Sequence, residues 1–352
     1  MIAMATLETK FQISSLPPDA QTAGVTDTRT ATETIAVSVR GQWIQAPVLC
    51  INGQNIVTTG KRIGIAALHD EEWLESEIEN PEDCISRLKA SHGAPRADIF
   101  RFTQKLPATI PVYNYPVEMT SVAVARITTF ENWWERIPSN TRQNIKRSQK
   151  RGVVIKVREF ETDVIQGICD VQNETSVRQG RPYPHYGKPF DQVRRDHSSF
   201  VDRSDFLCAY CEDEFIGFLK LVYRGNVASI LQLTVKTAHY DKRPSNALFA
   251  KAVEMCEARG VAWLTYGNFS YCNKGIDSLC EFKVRHGFSE MLVPTYYVPL
   301  TAWGRLCVLF KLYRKPQSIL PGGLRAFARK MRAKWYSLSA PKSHATLHPA
   351  GH

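Results

Sequence analysis

Residues 174–188, ETSVRQGRPYPHYGK, combine a carboxylate and an imidazole with arginines and tyrosines. An amine with a pKa near ~10 must lose a proton before it attacks an ester or thioester carbonyl. Glu174 and His185 are the candidates to accept that proton. The glycines and prolines of the segment exclude regular structure and predict a surface loop, where functional residues often gather. The alternative is a rigid loop packed by its own tyrosines.

A second segment, residues 228–249 (ASILQLTVKTAHYDKRPSNALF), has the features of an anion site. A buried strand leads through a basic loop into a helix that opens with Pro244, a residue suited to the first turn. The N–H groups and dipole of a helix start favour an anion, and Lys242 and Arg243 add positive charge. The segment could therefore bind a phosphate-bearing cofactor. The alternative is an ordinary helix, capped by Ser245 or Asn246, beside two solvated cations.

The composition predicts a soluble, cytoplasmic protein with one large domain or two ordinary ones. The chain has 352 residues, and 43% of them are hydrophobic. No apolar run approaches the ~20 residues of a membrane-spanning helix. The N-terminus lacks the basic and apolar blocks of a secretory signal.

The nine cysteines are scattered, and only Cys208 and Cys211 have a C-x-x-C spacing. Their segment is typical of a strand, where residues three apart point to opposite faces. No second Cys or His pair completes a four-ligand zinc site. We predict neither a disulfide nor a metal site here, and no metal elsewhere in the chain.

The positive charge is concentrated at the C-terminus. The formal net charge is +11, and residues 301–352 contain ten Lys and Arg and no Asp or Glu. An apolar stripe recurs there at helical spacing: Leu324, Phe327, Met331, Trp335 and Leu338. A basic amphipathic helix suits an anionic membrane surface, so segment 303–338 could bind peripherally at the inner membrane surface. The alternative is a helix that docks its stripe on the rest of the protein.

The hydrophobic pattern divides the chain into four parts: a polar arm (1–30), a small α+β unit (31–122), the main unit (123–300) and the basic tail (301–352). Predicted helices are 81–90, 139–150 (with Ser139 as N-cap and Gly152 at C′), 162–177, 190–201, 246–259 and 275–285. Predicted strands are 206–211, 214–223, 227–237, 262–267 and a pair within 290–300. This order predicts a mixed α/β sheet, antiparallel early and parallel late.

Three motifs resemble the GNAT (Gcn-related N-acetyltransferase) superfamily, and its FemAB-like members in particular. TRQNIKRSQKRGVVIKV (141–157) is similar to the signature R-x-x-I-x-x-x-x-K-x-G-V, supplied by Arg142, Ile145, Lys150, Gly152 and Val153. The strand, basic loop and helix of 228–249, followed by WLTYGN and FKVRHGF, resemble the second half of a GNAT domain. The resemblance covers about 132–300, with weaker reach back to residue 34. It implies a GNAT-type N-acyltransferase, preceded by a smaller, degenerate GNAT-like unit.

The resemblance also implies roles for individual residues. The implied donor-binding residues are Leu233, Val235, Lys242, Arg243, Ser245 and Asn246. The implied acceptor-binding residues are Arg178, Tyr183, Tyr186, Asn268 and Lys283. A backbone N–H of strand 231–235 would stabilise the oxyanion, and Tyr271 would protonate the leaving group.

One departure from the family pattern leaves the donor open. The GNAT loop usually reads Gln/Arg-x-x-Gly-x-Gly/Ala, whereas this chain reads R-P-S-N-A-L from Arg243, without glycine. FemAB-like members often lack this glycine, some because they use aminoacyl-tRNA. We expect acyl-CoA as the donor, with aminoacyl-tRNA as the alternative, and an amine on a sugar, lipid or cell-envelope precursor as the acceptor. The competing class is a non-catalytic GNAT-like module that binds RNA or an anionic surface.

Overall fold

The computed structural model describes residues 33–39, 42–69, 77–78, 80–90, 96–178, 181–269 and 278–314. The strands are β1 (Thr34–Val39), β2 (Gln42–Ile51), β3 (Gln54–Thr59), β4 (Ile65–Leu68), β5 (Ile99–Thr103), β6 (Val117–Arg126), β7 (Val153–Arg158), β8 (Val177–Arg178), β9 (Arg181–Pro182), β10 (Ser204–Cys211), β11 (Glu214–Arg224), β12 (Val227–Val235), β13 (Trp263–Thr265) and β14 (Ser289–Pro299). The α-helices are α1 (Pro81–Ala90), α2 (Phe130–Arg136), α3 (Ser139–Lys150), α4 (Thr162–Asn173), α5 (Phe190–His197), α6 (Pro244–Ala258), α7 (Ser278–Arg285) and α8 (Ala302–Leu309).

Twelve strands form one sheet in the order β1-β2-β3-β4-β5-β14-β6-β13-β12-β11-β10-β7, and β8 and β9 form a separate hairpin. The predicted mixed sheet is confirmed. The prediction of parallel strands late in the chain holds only for β12 and β13, because β14 pairs antiparallel with both β5 and β6. The strand pair predicted within 290–300 is wrong, since β14 is a single strand of 11 residues.

Helices cover both faces of the C-terminal half of the sheet. On one face, residues of α2, α3 and α6 share a buried cluster with strand residues such as Leu207 and Ala209. On the other face, α4 and α5 pack on Phe206, Cys208 and Phe218. Alternation along β10 therefore places neighbouring side chains in different cores. As expected, Cys208 and Cys211 lie on opposite faces, and both are free thiols.

Helix ends differ from the sequence prediction in α3, α4 and α5, as well as in α6. α3 begins at Ser139 with Pro138 as its N-cap, so Ser139 is not the cap, whereas Gly152 follows the C-terminal end with φ +77° as predicted. α4 ends at Asn173 instead of 177, because the β8–β9 hairpin begins at Val177. α5 ends at His197 instead of 201, and the left-handed Phe200 (φ 55°) follows it. A left-handed residue cannot continue a right-handed helix.

The chain contains two compact units, one ending at Val308 and one beginning at Leu309. In the second unit the described residues are 309–314, and Phe310 and Leu312 are exposed there. The predicted N-terminal arm, the apolar stripe of 324–338 and Tyr271 lie outside the described residues. None of the described helices combines the length and hydrophobicity needed to cross a bilayer.

Candidate active site

β12 loses one of its two neighbouring strands half-way along its length. β13 pairs with β12 only at 227–229. Beyond Thr265 the chain follows β6 instead, where the N–H groups of Tyr266 and Phe269 donate to Ala123 and Ser121 carbonyls (3.0 and 3.4 Å). A register shift at Leu231 adds a bulge to the β11–β12 pairing. Among the described strands, β11 is thus the only one that pairs with residues 232–235, and we call the side of this segment that no described strand pairs with the open edge.

The side chains of Leu233 and Val235, two predicted donor-binding residues, point into the core. They are 4% and 5% exposed and belong to the cluster under α6. Only the backbone of these residues can therefore contact a ligand at the open edge. This fits the role predicted for the strand from the sequence, which was to offer an N–H group.

The start of α6 has the features of an anion-binding site. A 3-10 turn (Thr237–Lys242) leads to Arg243, which adopts φ 59° and ψ 39°, a conformation that favours glycine. Pro244 is the first helical residue, and the first turn has neither a side-chain cap nor an acidic residue among the described residues. Arg243 is half-buried, and its Nε is a buried atom that finds no hydrogen-bond partner among the described residues. Unsatisfied donors and a half-buried cationic group at a helix start suit a phosphate.

The FemAB-like signature lies next to this helix start. Arg151, which follows α3, donates to the carboxylate and carbonyl oxygens of Asp241 (2.6 and 3.0 Å). Lys146, Arg147 and Lys150 are exposed on α3. The Nζ of Lys242 donates to Nδ1 of His239 (2.9 Å), so the 3-10 turn that Arg151 contacts also carries a cation of its own.

Glu174 anchors the 3-10 turn from the end of α4. Its carboxylate accepts hydrogen bonds from the Thr237 N–H (2.7 Å), the Thr237 hydroxyl (2.9 Å) and the Ala238 N–H (2.9 Å). The Nη2 of Arg178 lies 3.4 Å from the same carboxylate. These donors occupy both oxygens, so the geometry indicates a positioning role more directly than proton transfer.

Arg178 connects the predicted acceptor loop to the end of β12. Its guanidinium donates to the carbonyl oxygens of Val235 (2.9 Å) and Val171 (2.8 Å) and lies over the Tyr183 ring at 4.5 Å. The Tyr183 ring in turn contacts His185, with 5.3 Å between centroids. The structure therefore brings Arg178, Tyr183 and His185 together with Glu174. Tyr186 is 48% exposed at the rim of the same loop.

His185 is a neutral hydrogen-bond donor in this arrangement. Burial and the nearby Lys188 ammonium lower the pKa of His185 to about 4. Because an ammonium can only donate, its contact with Nδ1 (3.3 Å) places the ring proton on Nε2. Lys188 is itself held by Asp196 (2.5 Å). His185 can thus orient an acceptor by donating its Nε2–H. Because Nε2 already carries this proton, Nε2 cannot accept a proton from the acceptor amine unless it first gives up its own.

Asn268 and Lys283 form a separate group along the continuation of β13. The fully buried Nζ of Lys283 donates to the carbonyl oxygen of Asn268 (2.5 Å) and lies 4.9 Å from the Tyr266 ring. This pair lies on the β13 side of the opening, with the Arg178 cluster on the β12 side.

Three residues of the site were not predicted from the sequence: Lys188, Asp196 and Tyr240. Tyr240 lies in the 3-10 turn beside Arg178 and Glu174, and burial raises its pKa. The sequence signal that could have identified Tyr240 is its position between the buried strand β12 and the basic residues that precede α6. Among the described residues, no group of three or more His, Cys, Asp or Glu side chains could hold a metal ion.

Comparison with known proteins supports a GNAT fold. Residues 139–272 match the family model of an acetyltransferase (GNAT) domain. The structure of FemX is similar, with a TM-score of 0.54 and 9% identity over 79% of this chain and 90% of that one. The C-terminal domain of a putative lysylphosphatidylglycerol synthetase from Agrobacterium fabrum has a TM-score of 0.51 and 15% identity over 75% and 87%. L-PGS from Bacillus licheniformis has a TM-score of 0.51 and 12% identity over 75% and 88%.

At these identities, the structural likenesses establish the fold alone. No curated protein matches the chain. The family model nevertheless begins at the first residue of α3 and runs through β12, α6 and β13, so it contains both the open strand edge and the helix start described above. Residues 139–272 therefore carry an acetyltransferase (GNAT) domain, in a chain whose fold is similar to that of FemX.

Proposed function

We propose that the protein transfers an acyl group from acyl-CoA to an amine on a sugar, lipid or cell-envelope precursor. The observation that carries this proposal is the start of α6, where a buried, unpartnered Arg243 Nε accompanies an uncapped first turn directly after the open edge of β12. An acyl-CoA whose thioester lay along β12 would place the pyrophosphate of its CoA group at this helix start. Ser245 and Asn246 belong to the first turn, and Lys242 adds a cation beside it.

The residues around the strand end suit acyl transfer. A backbone N–H of the Leu231–Val235 strand segment would meet the charge that develops on the carbonyl oxygen. Glu174 and Arg178 hold the turn and the strand end in place through Thr237 and Val235. In this proposal His185 orients the acceptor through its Nε2–H, while Tyr183 and Tyr186 line the acceptor loop.

The proposed acceptor class rests on a structural likeness and on two residues beside the open edge. One protein of this fold is a putative lysylphosphatidylglycerol synthetase, a name that denotes aminoacylation of a lipid. Asn268 and Lys283, on the β13 side of the opening, would contact the acceptor in the proposed complex. We place the enzyme in the cytoplasm, acting peripherally at the inner membrane surface.

Aminoacyl-tRNA is a second candidate donor, favoured by the basic face of α3. Lys146, Arg147 and Lys150 are exposed there, and Arg151 ties the helix to the turn before α6. A nucleic-acid backbone needs several such cations along its path, whereas one pyrophosphate needs only those at the helix start.

Calorimetric titration tests the donor site. Acetyl-CoA should bind the wild type, and the double variant Lys242→Ala/Arg243→Ala should bind it at least about 100-fold more weakly, because two hydrogen bonds to charged groups, at about 1.5–3 kcal/mol each, sum to at least about 3 kcal/mol. The control Lys251→Ala/Arg285→Ala removes two cations that pair with Glu254 and Glu281 instead. It should leave the affinity unchanged.

A parallel titration with bulk tRNA separates the two donors. Two results together would favour aminoacyl-tRNA as the donor. The protein would bind tRNA and lose this binding when Lys146, Arg147 and Lys150 are changed to Ala, and it would release no heat on titration with acetyl-CoA. Equal acetyl-CoA affinity in the wild type and the Lys242/Arg243 variant would place the donor elsewhere.

A further inference from the structure

α8 presents an apolar face that the described part of its own unit leaves uncovered. Trp303 and Leu306 are 47% and 48% exposed. Residues three apart lie on one side of a helix. Clustered large apolar side chains on a surface mark a site of interaction.

The opposite face of α8 is already fixed to the protein. Thr301 accepts a hydrogen bond from the Gly304 N–H (2.8 Å) and donates to the carboxylate of Asp98 (2.8 Å). A Cβ atom on Gly304 would lie 2.0 Å from the Asp98 carbonyl oxygen, and Cys307 is fully buried. The helix therefore cannot rotate to bury Trp303 and Leu306 without breaking this packing.

Exposed cations border the apolar face. The indole N–H of Trp303 donates to the carbonyl oxygen of Arg62 (3.2 Å), and both Lys61 and Arg62 are exposed. Arg305 is exposed on α8 itself. The sequence from residue 301 to the end adds further Lys and Arg but no Asp or Glu. The surface around Trp303 is thus apolar with a basic border.

We propose that the Trp303–Leu306 face of α8 docks on an anionic lipid membrane. The tryptophan and leucine would enter the interfacial region, while Lys61, Arg62 and Arg305 would lie near lipid phosphates, the combination that interfacial helices use. An RNA partner would use the cations but gain little from an exposed leucine. This inference rests on the proposed function for its biological context, because a membrane-borne acceptor requires a protein held at the surface.

Vesicle sedimentation with the full chain tests the docking face. The wild type should bind vesicles of phosphatidylglycerol and phosphatidylcholine, and bind vesicles of phosphatidylcholine alone much less. Trp303→Ser/Leu306→Ser should lower the partition coefficient at least about tenfold, because both side chains would stay in water. Trp303→Phe should retain most of the binding. The control Met119→Ser/Leu292→Ser removes side chains that are 43% and 47% exposed on the sheet, and it should bind as the wild type does.

The outcomes separate this inference from the proposed acyl-CoA chemistry, since acetyl-CoA binding is titrated without vesicles. Unchanged vesicle binding by the Trp303/Leu306 double variant overturns the docking face, as does equal binding of the wild type to neutral and anionic vesicles. A wild type that ignores vesicles but binds RNA, or that dimerises through Trp303, also overturns it. Vesicle binding that persists in a protein with no affinity for acetyl-CoA would contradict the donor proposal alone.

Discussion

Changing Glu174 to Gln should loosen the turn that joins β12 to α6. The carboxylate accepts hydrogen bonds from the N–H and hydroxyl of Thr237 and from the Ala238 N–H, with both oxygens used. A glutamine of the same size has a single acceptor oxygen, and its NH₂ group would face donors. At least one of the three bonds must therefore be lost, and Arg178 loses its partner charge.

The size of the effect follows from burial. The Glu174 side chain is 17% exposed, and a hydrogen bond to a charged group contributes about 1.5–3 kcal/mol. The variant should therefore lose about 2–4 kcal/mol of unfolding free energy. Urea denaturation should show a lower midpoint with an unchanged slope. Acetyl-CoA binding should also weaken, because the turn leads directly into the start of α6.

A double-mutant cycle with Thr237→Val provides the control, since that change removes the hydroxyl donor to the same carboxylate. The two substitutions should couple, because their side chains contact each other. The reasoning is refuted if Glu174→Gln keeps the urea midpoint of the wild type, shows no coupling with Thr237→Val, and yet loses most turnover. That pattern would assign the carboxylate to proton transfer, the role first considered from the sequence.

Two further predictions concern protonation and the cysteines. Burial lowers the pKa of His185 and His286 to about 4 from an ordinary value of 6.5, so the unfolded state takes up their protons first. The stability that these residues contribute should be fully present above pH 6.5 and should fall as the pH drops towards 4. His185→Gln should reduce the slope of the unfolding free energy against pH, measured by urea titration, and a variant with the slope of the wild type would contradict this prediction. The purified protein should contain no stoichiometric zinc, because Cys208 and Cys211 lie on opposite faces of β10; zinc that disappears in Cys208→Ser/Cys211→Ser would show the reverse.

Elements with strong local signals were predicted closely from the sequence. α1 was predicted at its observed bounds, and α6 begins two residues earlier than expected, at the proline that had been recognised as suited to its first turn. Gly260, with φ +65°, follows its other end as predicted. These features depend on local backbone chemistry. The opening beside β12 could not be predicted in the same way, because it depends on which strand β13 follows after Thr265.

The site shows the same division between residue types and partners. The loop of Glu174, Arg178 and His185 was recognised because its side chains suit chemistry. Their roles depend on distant residues: Thr237 lies 63 positions beyond Glu174, and Val235 lies 57 beyond Arg178. The tautomer of His185 depends on Lys188, which a sequence motif does not associate with it. The sequence was therefore enough to predict which residues form the site. Their hydrogen-bond partners and protonation could be assigned only from the three-dimensional structure.

The glycines of the family pattern would fall at Asn246 and Leu248, inside α6, whereas the glycine-like backbone of this segment lies at Arg243, just before the helix. Arg243 adopts a left-handed conformation at φ 59°, which costs a non-glycine residue about 1–2 kcal/mol. Such strain persists only where the surroundings over-determine the backbone. Here the turn is held at its start by Glu174, through Thr237 and Ala238, and near its end by Arg151, through Asp241. Because both anchors act on the turn before Arg243, the loop can keep a glycine-like backbone while placing a guanidinium at the helix start. Absence of glycine therefore does not by itself argue against a phosphate-bearing donor at this position.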